Sequence, residues 1–280
     1  MRASRVLTFA RYEIRRAVAR KKVIALVALT VLIAVAPYFA LDATHTSLIT
    51  PPLRPYLWVL GVFLPQAFFL QFTSLLIAAG SMSEEYEQGT AEVLLSKPVS
   101  REEYFFGKYL GGYTLVVGIV VLDVILSITS ATFVFGPQLN LGILPTILVA
   151  QVFAALVFYS FAFMVGELMR RSSLSYILSA SVFLTSEVVG TFLNILYTLT
   201  GTGAYKVANF YLPTSPVDSL PLLLGEPSFP SSVQLVFRFA ATPVEPSIGF
   251  SALLIAVYFL SAVLIALTYF RNMDVAKRVT

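Results

Sequence analysis

Hydrophobic residues run along this chain in long blocks separated by short polar punctuation. Residues 23–41, 55–83 and 246–270 hold no charged side chain over 19, 29 and 25 positions. Between Lys108 and Glu167 the only charge is Asp123, and between Ser172 and Tyr205 the only one is Glu187. About 20 apolar residues in a helix cross the hydrocarbon core of a bilayer. The pattern therefore predicts six transmembrane helices, near 23–41, 56–81, 109–134, 143–168, 173–199 and 249–270. Pro65 inside the second predicts a kink, Gly136-Pro137 a turn after the third, and Arg170-Arg171 divides the fourth from the fifth.

Two polar stretches have patterns of their own. Residues 5–20 read as an amphipathic helix. Val6, Leu7, Ala10, Ile14, Ala17 and Val18 form one face, and Arg11, Arg15, Arg16 and Arg20 form the other. Such a helix lies in the headgroup layer with its arginines toward anionic lipid. Residues 83–108, SEEYEQGTAEVLLSKPVSREEYFFGK, interpose acids at Glu84, Glu85 and Glu87, a break at Gly89-Thr90, a short apolar helical pattern, a second break at Pro98, and a restart at Ser100. Ser100 and Glu103 have capping-box spacing, in which each side chain satisfies an otherwise unpaired backbone donor of the other. The pattern predicts two short punctuated helices that present a shaped surface to a partner.

Composition restricts the class further. With 58% hydrophobic and 12% charged residues over 280 positions, the chain is excluded from the soluble globular class. The fold class is all-α: a polytopic membrane protein with an N-terminal interfacial helix and a short helix in the 83–108 loop. Basic residues set the orientation. Eight lie in residues 2–22, Lys97, Arg101 and Lys108 in the loop, two at 170–171, and Arg271, Lys277 and Arg278 in the tail; only Arg54, Lys206 and Arg238 fall on the other side. Both ends of the sequence and the 83–108 loop are thus expected in the cytoplasm. The net charge of +4 reflects this topology and does not indicate a nucleic-acid partner. The first apolar run is too long for a signal core and lacks a cleavage site, so it is expected to remain. With no cysteine there is no disulfide or thiolate site.

Residues 201–248 form the long external segment and hold seven of the 15 prolines. Its apolar stretches at 220–224 and 233–241 are too short to cross, and read as interfacial or partly re-entrant helices, admissible where protein or water satisfies their ends.

Candidate chemistry is sparse. Asp123 and Glu187 fall near the centres of spans, where a carboxylate is a functional candidate by default. No Lys or Arg lies at their depth. They either line a substrate or proton pathway or sit protonated between helices, with Gln66, Gln71, Gln151 or Asn194 as partners. Glu167 has ion-pair spacing to Arg170 and Arg171. His45, the only histidine, lies near Asp42, a poor basis for a metal site. Gly107, Gly111 and Gly112 permit close helix packing. The sequence has no G-x-x-x-x-G-K-S/T phosphate loop, no metallohydrolase cluster and no G-x-S-x-G elbow. It offers no basis for an enzyme acting alone.

The run Glu85-Tyr-Glu87-Gln-Gly89-Thr90-Ala-Glu92-Val-Leu94-Leu95-Ser-Lys-Pro98-Val99-Ser100-Arg101, followed by Gly107-Lys108, resembles the signature of ABC-2 type transporter permeases. The layout of six helices, a basic amphipathic N-terminal helix and a long external segment resembles the same family; Pro213-Thr-Ser-Pro216-Val-Asp218 does so more loosely. The resemblance implies that residues 1–280 form one transmembrane domain. It would comprise an elbow helix (1–22), a cytoplasmic coupling segment (82–107) and the external segment (201–248). It further implies an exporter subunit that pairs with a separate ABC ATPase, which holds the ATP and Mg, and with a second permease copy, identical or paralogous, in the cell membrane. The 84–106 loop would couple to that ATPase through Glu84, Glu85, Glu87, Gly89, Thr90, Glu92, Leu94, Leu95, Pro98 and Arg101. No cofactor is expected in this chain. The alternative is a proton-coupled secondary transporter or channel using Asp123 and Glu187.

Overall fold

Each long apolar run forms a helix, because a backbone in hydrocarbon must satisfy its own hydrogen bonds and a helix does so within one segment. The computed structural model describes residues 3–43, 51–96, 99–231, 233–234 and 247–272. His45, Pro98, most of the 233–241 stretch and the basic tail residues Lys277 and Arg278 lie outside them. Six helices are long and apolar enough to cross a membrane: Lys21–Ala43, Arg54–Glu87, Arg101–Phe135, Leu141–Met169, Ser172–Thr200 and Ile248–Asn272. They coincide with the six predicted runs.

The elements are α1 (Ala3–Val18), α2 (Lys21–Ala43), α3 (Trp58–Pro65), α4 (Gln71–Glu87), α5 (Thr90–Leu95), α6 (Arg101–Phe135), α7 (Leu144–Met169), α8 (Ser172–Thr200), α9 (Gly203–Phe210), α10 (Thr214–Gly225) and α11 (Ile248–Asn272). The break predicted at Pro65 is a π turn, Gln66–Leu70, joining α3 to α4 within one span. Proline has no amide hydrogen and crowds the preceding carbonyl, so the helix widens for one turn there. The turn at Gly136 is also present, with φ of 88° closing α6.

One element differs from its expectation. The segment after Pro98 is not a second short helix. Ser100 and Glu103 do form the reciprocal capping box, but the helix they open is α6 itself, 35 residues long. At 1.5 Å per residue it extends about 52 Å, well beyond the roughly 30 Å hydrocarbon core. Part of it therefore exceeds the core, and its first turns are covered by α1.

α4 and α7 pack closely at the centre, where a Cβ on Gly166 would lie 2.8 Å from the Ala79 carbonyl oxygen. Phe105, Tyr109, Tyr159, Phe163 and Phe270 bind α6, α7 and α11 into one aromatic cluster. At the opposite end, Trp58 Nε1 donates to the Leu139 carbonyl (3.0 Å) and Leu139 N to the Pro55 carbonyl (2.7 Å). α10 is a buried helix within the 201–248 segment, packed against α7 and α11.

Candidate functional site

α1 lies across the start of α6. The glycines at 107 and 111 are required there: a Cβ on Gly107 would meet Phe9 Cβ at 2.3 Å, and one on Gly111 would meet the Ala10 carbonyl oxygen at 2.7 Å. The buried stripe of α1 is Val6, Ala10, Glu13 and Ala17. This corrects the face expected from the sequence. Leu7 and Val18 are exposed, and a carboxylate, Glu13, occupies the middle of the contact.

That carboxylate belongs to a buried charge cluster. Lys108 Nζ donates to Glu13 and to Glu85 (2.9 Å to Glu85 Oε1), and Arg16 also donates to Glu85. Tyr104 Oη donates to Glu85 Oε2, and Ser81 Oγ to Glu13 Oε1 (3.1 Å). Two carboxylates thus meet two cations with no water-exposed member except part of Arg16. Removing charges from water is costly, and only close pairing with further hydrogen bonds offsets it. The hydroxyls of Tyr104 and Ser81 supply those bonds.

Beside this cluster, Glu84 is held by Arg20 (3.1 Å), Lys22 and Tyr176 Oη (2.7 Å). Glu87 accepts from Ser172 N (2.8 Å) and Ser172 Oγ (2.6 Å). It thereby satisfies a first-turn amide of α8 at the end of the helix that favours negative charge. Glu167 accepts from Tyr86 Oη at 2.7 Å, and the Arg170 guanidinium lies 4.8 Å from the centre of the Tyr86 ring, so the end of α7 is tied to α4. The arginine face expected to point at lipid is split. Arg11 and Arg15 point outward, whereas Arg16 and Arg20 turn toward the acids of α4.

From the sequence, Glu84, Glu85 and Glu87 are expected on a surface that couples to a partner. In the folded chain all three carboxylates bind groups of this chain, and Glu85 is wholly buried. What projects beyond them is α5. Gly89, at φ 69°, turns the chain sharply after α4, a conformation that any larger side chain would strain. Thr90 is half-buried, with its hydroxyl toward the Glu85 carbonyl (3.4 Å). Leu94 packs inward, while Glu92 and Val93 face out, Val93 being 62% exposed. Arg101 Nη1 donates to the carbonyls of Phe270 (3.1 Å) and Arg271 (3.0 Å), closing the last turn of α11.

Neither of the two acids near the centres of the spans takes part in this junction. Asp123, fully buried on α6, has no hydrogen-bond partner for either oxygen among the described residues. The expected glutamine partners do not reach it: Gln151 Nε2 donates to the Val62 carbonyl (2.9 Å), and both side-chain atoms of Gln66 and of Gln71 are unpaired among the described residues. Glu187 lies on α8 with one oxygen likewise buried and unpaired. It faces an acid that sequence reasoning did not single out for chemistry, Asp218 of α10. Burial raises the Asp218 carboxyl well above its ordinary range, and the Glu187 charge pushes it the same way.

Glu13, Tyr104, Lys108 and Tyr176 were also missed as junction residues. Glu13 carried a signal, since 6, 10, 13 and 17 follow helical spacing and only 13 is charged. Lys108 and the tyrosines acquire their roles from chain segments far away in sequence.

Compared with known families, residues 7–275 match the family model described as ABC-2 family transporter protein. A search of the curated proteins returns no match.

Proposed function

The chain belongs to the ABC-2 family of transporter proteins, and from that premise we propose that it is the permease of an ATP-driven exporter, coupled to a separate ABC ATPase through the 84–106 loop. The observation that carries this reading is the division of labour at the charged end of the bundle. α5 projects with Glu92 and Val93 outward, while the acids just before it grip α1, α6 and α8. A short helix hung on such a junction suits a lever. A push on α5 would pass through Glu85 to α1 and α6, and through Glu84 and Glu87 to α8, tilting the helices as a body. ATP binding would act by favouring one of two bundle arrangements.

The distribution of Lys and Arg supports a cytoplasmic position for this end, where an ATPase operates. The absent phosphate loop supports an external source of energy. On this reading Glu84, Glu85, Glu87 and Arg101 transmit force, Glu92 and Val93 with the Gly89-Thr90 turn form the docking face, and Leu94 seats α5 on the bundle. The lipid-facing side of α8, with Ile177, Val188 and Phe192 exposed, is available to a second permease copy.

The test is coexpression of the chain with a candidate ATPase, followed by purification and ATP-hydrolysis assays in lipid nanodiscs. The reading predicts a stable complex whose hydrolysis differs from that of the ATPase alone. Translocation by this chain alone, driven by a pH gradient and lost in Asp123→Asn or Glu187→Gln, would instead support the proton-coupled alternative.

A further inference from the structure

α1 meets protein on one side and leaves a patterned stripe uncovered on the other. Val6, Ala10, Glu13 and Ala17 are its buried residues, and Arg16 and Arg20 turn to Glu85 and Glu84. Leu7, Arg11, Arg15 and Val18 follow one another at intervals of four, four and three residues, so they share one stripe of the helix. All four are exposed, Leu7 to 68% and Val18 to 52%. Neither Arg11 nor Arg15 has a hydrogen-bond or ion-pair partner among the described residues.

The chemistry of the stripe restricts what can cover it. Glu13 is the only acid of α1, and it is buried against Lys108 and Ser81. The stripe therefore carries two positive charges that no acid of its own helix offsets, interleaved with aliphatic side chains that gain nothing from water. An anionic leaflet answers both features, because its phosphates lie directly above its acyl chains. The stripe is also continuous with the membrane-spanning surface. α2 begins three residues after Val18, and its exposed Lys21 heads a row of exposed residues, Ile24, Ala28 and Leu32. Arginine stems lie along apolar groups while their heads reach outward, and the guanidinium fork matches a phosphate with two parallel hydrogen bonds.

We propose that Leu7, Arg11, Arg15 and Val18, with Lys21, form a docking surface for anionic phospholipids that holds α1 on the bundle. Leu7 and Val18 sit at the acyl-chain boundary, and the two guanidinium groups bind headgroup phosphates. The four arginines of α1 thus divide into two for lipid and two for protein. Glu13 and Arg16, on the protein side of the same helix, both enter the cluster around Lys108 and Glu85. Lipid charge that pins α1 therefore also seats that cluster. The surface does not depend on the ATPase reading.

The test is native mass spectrometry of the full-length chain released from nanodiscs of equimolar phosphatidylglycerol and phosphatidylcholine with matched acyl chains. The proposal predicts that the wild type retains phosphatidylglycerol preferentially. That preference should fall on the order of tenfold in the double variant Arg11→Gln, Arg15→Gln, be largely kept in Arg11→Lys, Arg15→Lys, and weaken as salt rises. Phosphatidylglycerol should also raise the thermal unfolding midpoint of the wild type above its value in phosphatidylcholine alone, with a smaller rise in the glutamine variant. Three results would overturn the proposal. The first is a wild type with neither lipid preference nor midpoint shift, a readout that stands even if a variant fails to fold. The second is an equal loss of preference in Arg171→Gln and in Arg11→Gln, which would make the effect one of overall charge. The third is displacement of the lipid by inorganic phosphate beyond that caused by chloride at the same ionic strength, which would assign the arginines to a free anion.

Discussion

Lys108 Nζ lies 2.9 Å from Glu85 Oε1 with neither side chain exposed to solvent, joining the start of α6 to the end of α4 at the point where α1 crosses both. The same ammonium donates to Glu13 of α1. Three segments distant in sequence thus share one cation, and the energetic consequence is specific. A buried pair adds little over an apolar replacement of both partners, yet breaking it leaves an uncompensated charge.

Lys108→Met should therefore destabilise the chain by about 3–5 kcal/mol, read as a lowered thermal unfolding midpoint in detergent. The double variant Glu13→Gln, Lys108→Met, which leaves Glu85 paired with Arg16, should recover most of that loss. If the single and double variants unfold alike, the cluster is not a coupled unit.

Enlarging Gly111 tests the seat of α1 independently of charge. Gly111→Leu forces a side chain into the backbone of Ala10, and overpacking of this kind costs about 1–3 kcal/mol. α1 should lift from α6 and become open to trypsin at Arg11, Arg15 and Arg16, while the rest of the bundle stays resistant.

Glu87 is expected to act as a cap on α8. Glu87→Ala should cost roughly 1 kcal/mol, in the range of lost N-terminal caps, and speed amide exchange in the first turn after Ser172. Glu87→Gln, which keeps an acceptor oxygen, should lose less.

Much of this architecture is legible in the sequence, because hydrocarbon imposes a simple rule on length and polarity. The six spans, the break at Pro65, the capping box at Ser100 and the small residues at 107 and 111 are all local signals. The junction is not local. Glu85 reads from the sequence as a surface acid in a charged loop, and only the approach of Arg16, Tyr104 and Lys108 from elsewhere turns it inward. The buried face of α1 differs from its pattern for a related reason: Leu7 and Val18 look like core residues by hydrophobicity, but exposure to lipid suits them as well as burial in protein does.

The absence of cysteine from the natural chain allows the central claim, docking of an ATPase on α5, to be tested without background. Val93→Cys and Glu85→Cys would each be coupled to a short thiol-to-amine cross-linker in membranes containing the partner ATPase, with Asn140→Cys at the opposite end of the bundle as a comparison. Efficient cross-linking of the ATPase to Val93→Cys, and little to Glu85→Cys or Asn140→Cys, is the predicted result. An active complex in which Val93→Cys captures no ATPase, or in which Asn140→Cys captures it instead, would contradict the account.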